Sequence, residues 1–225
     1  MDHIFDPGAF FDVSRSEHES LFNGLSLVWQ VLGRLAAYLE YTAINRIECR
    51  IPPQTMVRGP VRIGKGVSVE PGAMIIGPAV IGSGTVIRHG AYIRPYSLVG
   101  RNCVIGHATE LKYCILLDGA QVPHFNYVGD SIVGHDALLG AGAKLANVRH
   151  DQKEIAVVAE GKRIGTGLSK FGSVIGDGAR LGCNAVCCPG TLVGPAAQVY
   201  PTALVRGVVP PNSVVKAAVG GVEPL

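Results

Sequence analysis

His124 lies in the stretch Pro123-His124-Phe125-Asn126-Tyr127, where the pattern of the surrounding chain is interrupted. An imidazole titrates near neutrality, so it can take a proton from an attacking amine and pass one to a leaving group. Ala141 stands between Gly140 and Gly142, and the amide after a glycine can approach a reacting carbonyl closely enough to hold the oxyanion of a tetrahedral intermediate. Arg94 can grip a phosphate bidentately, with Lys112 and Lys153 acting as point charges. A base, a fixed donor and phosphate-binding cations are what acetyl transfer to a phosphorylated amine requires. Each residue also has a plainer reading. A lone histidine in a repetitive protein is more often without a catalytic role, and Arg94 and Lys112 equally suit a solvated face. Lys162, Arg163 and Lys170 fit a solvated hairpin better than a further phosphate site.

The elements that must position these groups follow from a six-residue repeat. Ile51, Val57, Ile63, Val69, Ile75, Ile81, Ile87, Ile93, Val99, Ile105, Leu111 and Leu117 recur at every sixth position. Four places after each comes a mostly small residue, from Thr55 and Val61 through Cys103 and Thr109 to Ile115 and Gln121. Such a period predicts a parallel β-helix in which three repeats close one triangular coil. The branched residue points inward and stacks on its equivalent one coil away, and the small residue fits the corner. After Val122 the register breaks, with 123–127 and 128–132 each one residue short, and regular sixes resume at Val133 and Leu139 and end near Leu145. It returns at Ile175, Leu181, Cys187, Val193 and Val199 and finishes around Val209-Pro210-Pro211. Between them, residues 147–170 carry no repeat, and Ile155–Val158 and Arg163-Ile164 flank Glu160-Gly161 as a small hairpin would. Breaks in a solenoid gather on one face, often the binding face, so the chemistry is expected around 123–170.

Ahead of the coil, residues 1–13 read as an irregular lead-in. Ser14 with Glu17, or Ser16 with Glu19, fits a capping box. A helix is predicted from there to about Tyr41, with Leu21, Leu25, Val28, Leu32, Leu35 and Leu39 on one seam. It is too short and too polar to span a bilayer. It is expected to pack on the coil's open end or side, with a seam between subunits as the other reading. The domain plan is therefore a lead-in and helix over 1–50, a β-helix over 51–215 with an inserted loop at 147–170, and a tail over 216–225.

Composition narrows the function classes. A net charge of +3 with no basic block argues against a nucleic-acid partner. The low aromatic content of 6% and the 30 glycines suit a narrow coil packed from Ile, Val and Ala. The six cysteines form no CxxC pair, which favours free thiols in a reducing compartment over a disulfide framework. The acidic N-terminus lacks the basic region of a signal peptide. A cytoplasmic location is expected.

The stretch His124-Phe125-Asn126-Tyr127-Val128-Gly129-Asp130, followed by Gly140-Ala141-Gly142 and Asn147, resembles the acetyltransferase half of the bifunctional N-acetylglucosamine-1-phosphate uridyltransferase/glucosamine-1-phosphate N-acetyltransferase family. It is nearest to the C-terminal domains of the sugar-1-phosphate nucleotidyltransferases, which share the Asn147-to-Asp151 stretch. The resemblance covers about residues 57–215, and nothing ahead of the coil resembles the uridyltransferase half. It implies an all-β, left-handed parallel β-helix of hexapeptide repeats with an N-terminal α-helix. It also implies an N-acetyltransferase that uses acetyl-CoA as co-substrate and acts on an amino-sugar 1-phosphate, most simply glucosamine-1-phosphate, in nucleotide-sugar biosynthesis. By position, His124 matches the base, and Arg94, Lys112, Tyr127, Asn147 and Lys153 match sugar- and phosphate-binding residues. Ala141 matches the amide that meets the acetyl group, and Cys183 a small residue lining the coenzyme A channel. A homotrimer with shared sites is implied. Leu138 departs from the family's substrate-contacting Asn, which leaves a different amine or hydroxyl acceptor as an alternative. A non-catalytic module that trimerises or regulates a separate nucleotidyltransferase chain is the other. Trimeric β-helices that hold zinc use three histidines, two of them five residues apart. His89, His107, His135 and His150 include no such pair, and no metal is expected.

Overall fold

The computed structural model describes residues 4–217, so the ends of the lead-in and of the expected tail, 1–3 and 218–225, lie outside the described residues. The fold is the all-β left-handed parallel β-helix. Its strands stack into three parallel sheets, one of nine strands and two of eight. Val61 pairs with Ala79 and Ala79 with Ser97, a step of one coil along the nine-stranded sheet. The columns from Ile63 to Leu111 are buried as the repeat requires. Ala73, Thr85, Ala91, Ser97, Cys103 and Thr109 fill the small slots. Stacked branched side chains bury about 1.5–3 kcal/mol of transfer free energy each, which sustains a fold with few aromatics.

The register breaks earlier than the spacing predicts. Leu116, not Leu117, pairs with Val99 above and Val133 below. Cys114 and Ala120, not Ile115 and Gln121, take the small slots. The first short step is thus from Leu111 to Leu116, and the second from Val128 to Val133. At each, a non-glycine residue turns the corner in the left-handed region, Tyr113 at φ 48° and Asp130 at φ 45°, and the coil closes one residue short. Leu117 misleads because it is apolar and buried, but in the outer cluster rather than the coil interior.

The chain leaves the coil at Asn147 and returns at Phe171, whose N–H donates to Asn147 O at 3.0 Å. The two ends of the insertion therefore meet, and Lys144 pairs with Val186 as if nothing intervened. The hairpin forms as Ala156–Ala159 against Lys162–Gly165, with Val157 opposite Ile164. Its two-residue turn, Glu160-Gly161, has positive φ at both positions, the geometry that tight hairpins favour. It packs on the nine-stranded sheet, with Ile155 and Val157 buried beside Val174 and Leu192. A Cβ at Gly190 would sit 2.8 Å from Ala156 O, so the absence of a side chain there admits the hairpin.

The N-terminal region differs from the single helix predicted. Short 3₁₀ turns at Val13–Arg15, Glu19–Phe22 and Val28–Gln30 precede one α-helix, α1, at Val31–Thr42. Neither capping box forms. The Ser14 hydroxyl donates to Asp12 and the Ser16 hydroxyl accepts from His18 N. Gly24, at φ 69°, turns the chain. Broken into turns, the segment lays Phe10, Phe11, Phe22, Trp29, Leu32 and Leu35 flat over a sheet, which a straight rod could not do. They bury the outward residues Val80, Leu98, Ile115, Ile132, Val174 and Leu192 of the nine-stranded sheet. The segment covers a side of the coil within its own chain, rather than an open end or a seam between subunits. Among the described residues no helix is long and apolar enough to cross a membrane.

Candidate active site

With the nine-stranded face closed, the two eight-stranded faces and the corner between them remain. His124 is at that corner. It ends the strand Gln121–His124, which runs beside Val104–His107 with His107 opposite His124. Any side chain at Gly106 would run into Pro123 O, so glycine there lets the two strands stay paired out to the histidines. Gln121 lies opposite Leu138, and Leu138 opposite Arg180. The same register stacks His89, His107, His124, Ala141 and Cys183 on one edge, about 4.8 Å per coil. The predicted base, acyl-site amide and channel residue thus occupy consecutive coils of one corner.

The imidazole of His124 is exposed, while its backbone is fixed. Its N–H donates to Asn126 Oδ1 at 3.1 Å and its carbonyl accepts from Gly142 N at 2.9 Å. The next two histidines are held by their rings. His89 Nδ1 bonds Pro71 O and His107 Nδ1 bonds His89 O, each at 2.8 Å. A carbonyl only accepts, so Nδ1 carries a hydrogen in both. The two rings stack at 5.4 Å, and the exposed Phe125 ring meets His107 edge-on at 5.2 Å.

Arg94, Lys112 and Tyr127 project from one eight-stranded face, the sheet that includes Tyr92–Ile93, Glu110–Lys112 and Tyr127–Gly129. Both cations are already paired. Arg94 donates to Glu110 Oε1 at 2.8 Å, which raises its pKa further. Lys112 donates to Asp130 Oδ2 at 2.9 Å, and Asn147 Nδ2 donates to the same oxygen. With its amide nitrogen so engaged, Asn147 offers Oδ1 to the Tyr127 hydroxyl at 3.4 Å. Burial is the main reason the Tyr127 phenol is pushed above its ordinary pKa. Each cation keeps donors to spare, since a guanidinium has five and an ammonium three. Lys153 is apart, exposed on the insertion beside Asp151, which Arg149 holds well below the usual carboxylate range. Among the described residues no hydrogen bond or ion pair ties the Lys153 ammonium to Arg94, Lys112 or Tyr127. Leu138 faces outward on the other eight-stranded sheet.

All six cysteines are free thiols. Burial pushes Cys103, Cys114 and Cys187 up to about 12, so these three are packing groups rather than nucleophiles. Cys183 is exposed on the His124 edge. Among the described residues no group of three or more His, Cys, Asp or Glu side chains is placed to hold a metal ion.

Residues 75–169 match the family model described as the GMPPB C-terminal domain. A bifunctional sugar-1-phosphate nucleotidylyltransferase/acetyltransferase of Sulfurisphaera tokodaii is 41% identical over 99 residues, 44% of this chain and 25% of that protein. The bifunctional protein GlmU of Methanococcus maripaludis is 35% identical over 178 residues, 79% of this chain and 43% of its own length. The chain resembles the acetyltransferase half of these bifunctional enzymes. It spans a quarter of the first relative and less than half of the second. Among solved structures, UDP-N-acetylglucosamine acyltransferase from Campylobacter jejuni aligns with 16% identity and a TM-score of 0.44 over 73% of this chain and 70% of that one. The Arabidopsis enzyme of that name aligns with 18% identity and a TM-score of 0.40 over the same shares.

Within this acetyltransferase-like coil, sequence reasoning assigned no role to four residues near the corner, although Asn126 and Asp130 lie in the motif stretch itself. Glu110 and Asp130 are the carboxylates that seat Arg94 and Lys112. Lys144 lies opposite Tyr127 on the same face, its ammonium on Gly142 O at 2.8 Å. Asn126 is buried in a small slot of the coil. Counting in sixes without the shortened step conceals Asn126, because it assigns the slots to Ile115 and Gln121 instead.

Proposed function

We propose that this protein is an N-acetyltransferase that moves acetyl from acetyl-CoA to an amino-sugar 1-phosphate, with glucosamine-1-phosphate the first candidate, in nucleotide-sugar biosynthesis. The observation that carries the reading is the corner itself. The exposed His124 lies across from Ala141 on the next coil, with Cys183 one coil further and two phosphate-capable cations on the adjoining face. The acceptor phosphate takes the remaining donors of Arg94 and Lys112, which directs the sugar amine to His124. The amine nitrogen attacks the thioester carbonyl carbon, a C–N bond forms, and the carbonyl electron pair moves to oxygen, where the Ala141 N–H meets it. His124 takes the proton from the amine. Collapse breaks the C–S bond, and the sulfur leaves with the proton from His124. Leu138, apolar and outward on the second face, favours one further reading, a related acyltransferase whose acceptor differs beyond the phosphate. Turnover of acetyl-CoA against a panel of amino-sugar phosphates and free amino sugars tests both. No turnover with any of them would remove the reading.

Arg94→Ala and Lys112→Ala are each expected to raise the acceptor KM roughly tenfold or more, because each deletes a charge-assisted contact to phosphate. The check is the same assay with glucosamine lacking the phosphate. An equal loss with that acceptor would show that neither residue reads the phosphate.

The site is also expected to be shared in a homotrimer. A flat-faced prism has no concavity of its own at His124, and the hairpin that could have walled the corner lies on the nine-stranded sheet instead. The N-terminal segment closes that sheet, so the two open faces beside His124 are the ones left for neighbouring copies. Three such corners can meet around one closed axis. Light scattering at assay concentration is the measurement: full activity at a mass near 23.6 kDa would sink the shared site. A separate nucleotidyltransferase chain is a fitting partner for a product of this kind, and a cytoplasmic location follows from the same reading.

A further inference from the structure

The small slots of this coil hold alanine, serine, threonine or cysteine on nearly every rung, Ala91, Ala120 and Ala143 among them. Asn126 breaks that rule one step below His124, with its side chain inside the coil and only 2% exposed. A buried primary amide is costly unless its polar atoms are bonded, and here they are. Oδ1 accepts from His124 N at 3.1 Å. Nδ2 donates to Gly140 O at 2.7 Å and to Ala143 O at 3.3 Å. Reversing the amide would set its oxygen against two carbonyls and its NH₂ against an N–H, so the chemistry of the partners fixes the orientation.

These bonds reach two coils at once. In a trans peptide the carbonyl and the following N–H point in opposite directions. Gly140 O accepts from Asn126 Nδ2 and also from Ala143 N at 3.1 Å, so it points inward and the Ala141 N–H of the same peptide unit is turned outward, to the edge where His124 stands. Among the described residues no acceptor meets that N–H, whereas Ala141 O is occupied by Asn184 N at 2.8 Å. The same side chain holds the His124 N–H, and Gly142 N holds the His124 carbonyl. We infer that Asn126 is a positioning residue for acyl transfer: its buried amide, together with the Ala143 N–H, holds the Gly140 carbonyl whose peptide carries the Ala141 N–H, and it fixes the backbone that carries His124. The inference rests on the acyl-transfer reading above and assigns a role to a residue that touches neither substrate.

The test uses the full chain and the variants Asn126→Ala and Asn126→Asp. Alanine fills the equivalent slot elsewhere, so the coil is expected to form, with circular dichroism and light scattering as the controls. Should Asn126→Ala fail to fold, Asn126→Ser, which matches Ser97 and Ser131 in their slots, carries the same test. Removing an oxyanion donor costs about 10²–10³-fold in turnover, and misaiming it is expected to cost kcat about 10²-fold with both KM values within about twofold. Asn126→Asp keeps the acceptor for His124 but repels Gly140 O and Ala143 O, so it is expected to lose as much. Combined with His124→Ala, the losses should be less than multiplicative, because the two residues serve one step. A kcat within about threefold of the parent, KM values that rise while kcat holds, or multiplicative losses would each overturn the inference. Amide hydrogen exchange at His124 needs no acceptor. It should quicken at least tenfold in Asn126→Ala, and unchanged exchange overturns the clamp even if no acceptor is found. A parent that transfers acetyl to nothing, with exchange at His124 quickened in the variant, would fail the functional reading while leaving the clamp standing.

Discussion

His124→Ala is expected to lower kcat for acetyl transfer by about 10²–10⁴-fold, the range a positioned general base contributes, or about 3–5 kcal/mol of transition-state stabilisation. The KM for acetyl-CoA is expected to change little. The backbone bonds of His124 to Asn126 Oδ1 and Gly142 N do not depend on its ring, so the neighbouring Ala141 amide keeps its place when the imidazole is removed. The ring is exposed and makes no packing contact that the coil needs. A large loss of turnover in a protein of unchanged melting temperature therefore isolates proton transfer. His107→Ala is the control, since it lies one coil away with Nδ1 bound to His89 O and its loss should leave kcat near the parent. Retained turnover in folded His124→Ala would rule out His124 as the base and take the proposed mechanism with it.

What was legible in the sequence was whatever repeats at a fixed period. The inward columns from Ile63 to Leu111 stand where the spacing places them because each coil forces the same geometry on its branched residue. The hairpin around Glu160-Gly161 was legible because a two-residue turn with positive φ needs that kind of pair. The placement of His124 at a break in register did not hold, since the step from Val122 to Val128 is a full six residues and the shortened steps lie on either side of it. Of the two shortened steps, the one over Val128–Ile132 stands where the spacing put it, and the other lies earlier, between Leu111 and Leu116. Ile115 and Leu117 are as apolar as the residues that replace them in the column, and period alone does not separate an inward leucine from one buried outside. The N-terminal helix forms, but over Val31–Thr42 only rather than from Ser14 or Ser16 onward. Its 3.6-residue seam is real, and Leu21, Val28, Leu32, Leu35 and Leu39 are all buried. Burial against a broad sheet nevertheless rewards a segment that bends at Gly24. The carboxylates on Arg94 and Lys112 escaped because pairing across coils joins residues 16 and 18 apart, which only the register reveals.

Leu98→Asp is expected to be the most destabilising single change outside the coil interior. By alternation, Leu98 points outward between the inward Ser97 and Val99, and on a bare solenoid an aspartate there would be harmless. On this protein it is buried in the cluster that also holds Trp29, Leu32 and Leu35 and is 1% exposed. Losing the leucine costs about 2–5 kcal/mol, as for other buried large-to-small changes. An unpaired carboxylate in its place adds several kcal/mol more, or is held protonated at the same expense. The sum rivals the whole stability of a typical domain, about 5–15 kcal/mol. The expected result is therefore detachment of residues 5–39 from the coil or no folded protein at neutral pH. Limited proteolysis reads the first outcome as rapid cleavage ahead of α1 with the coil left intact, and circular dichroism reads the second. The comparison is Arg163→Asp, an exposed position on the hairpin away from the two open faces, where a shift within about 0.5 kcal/mol is expected. If Leu98→Asp is as mild as Arg163→Asp, the N-terminal segment does not seal the nine-stranded face in solution. That face would then be free for a neighbouring prism, and the trimer built on the other two faces would lose its basis.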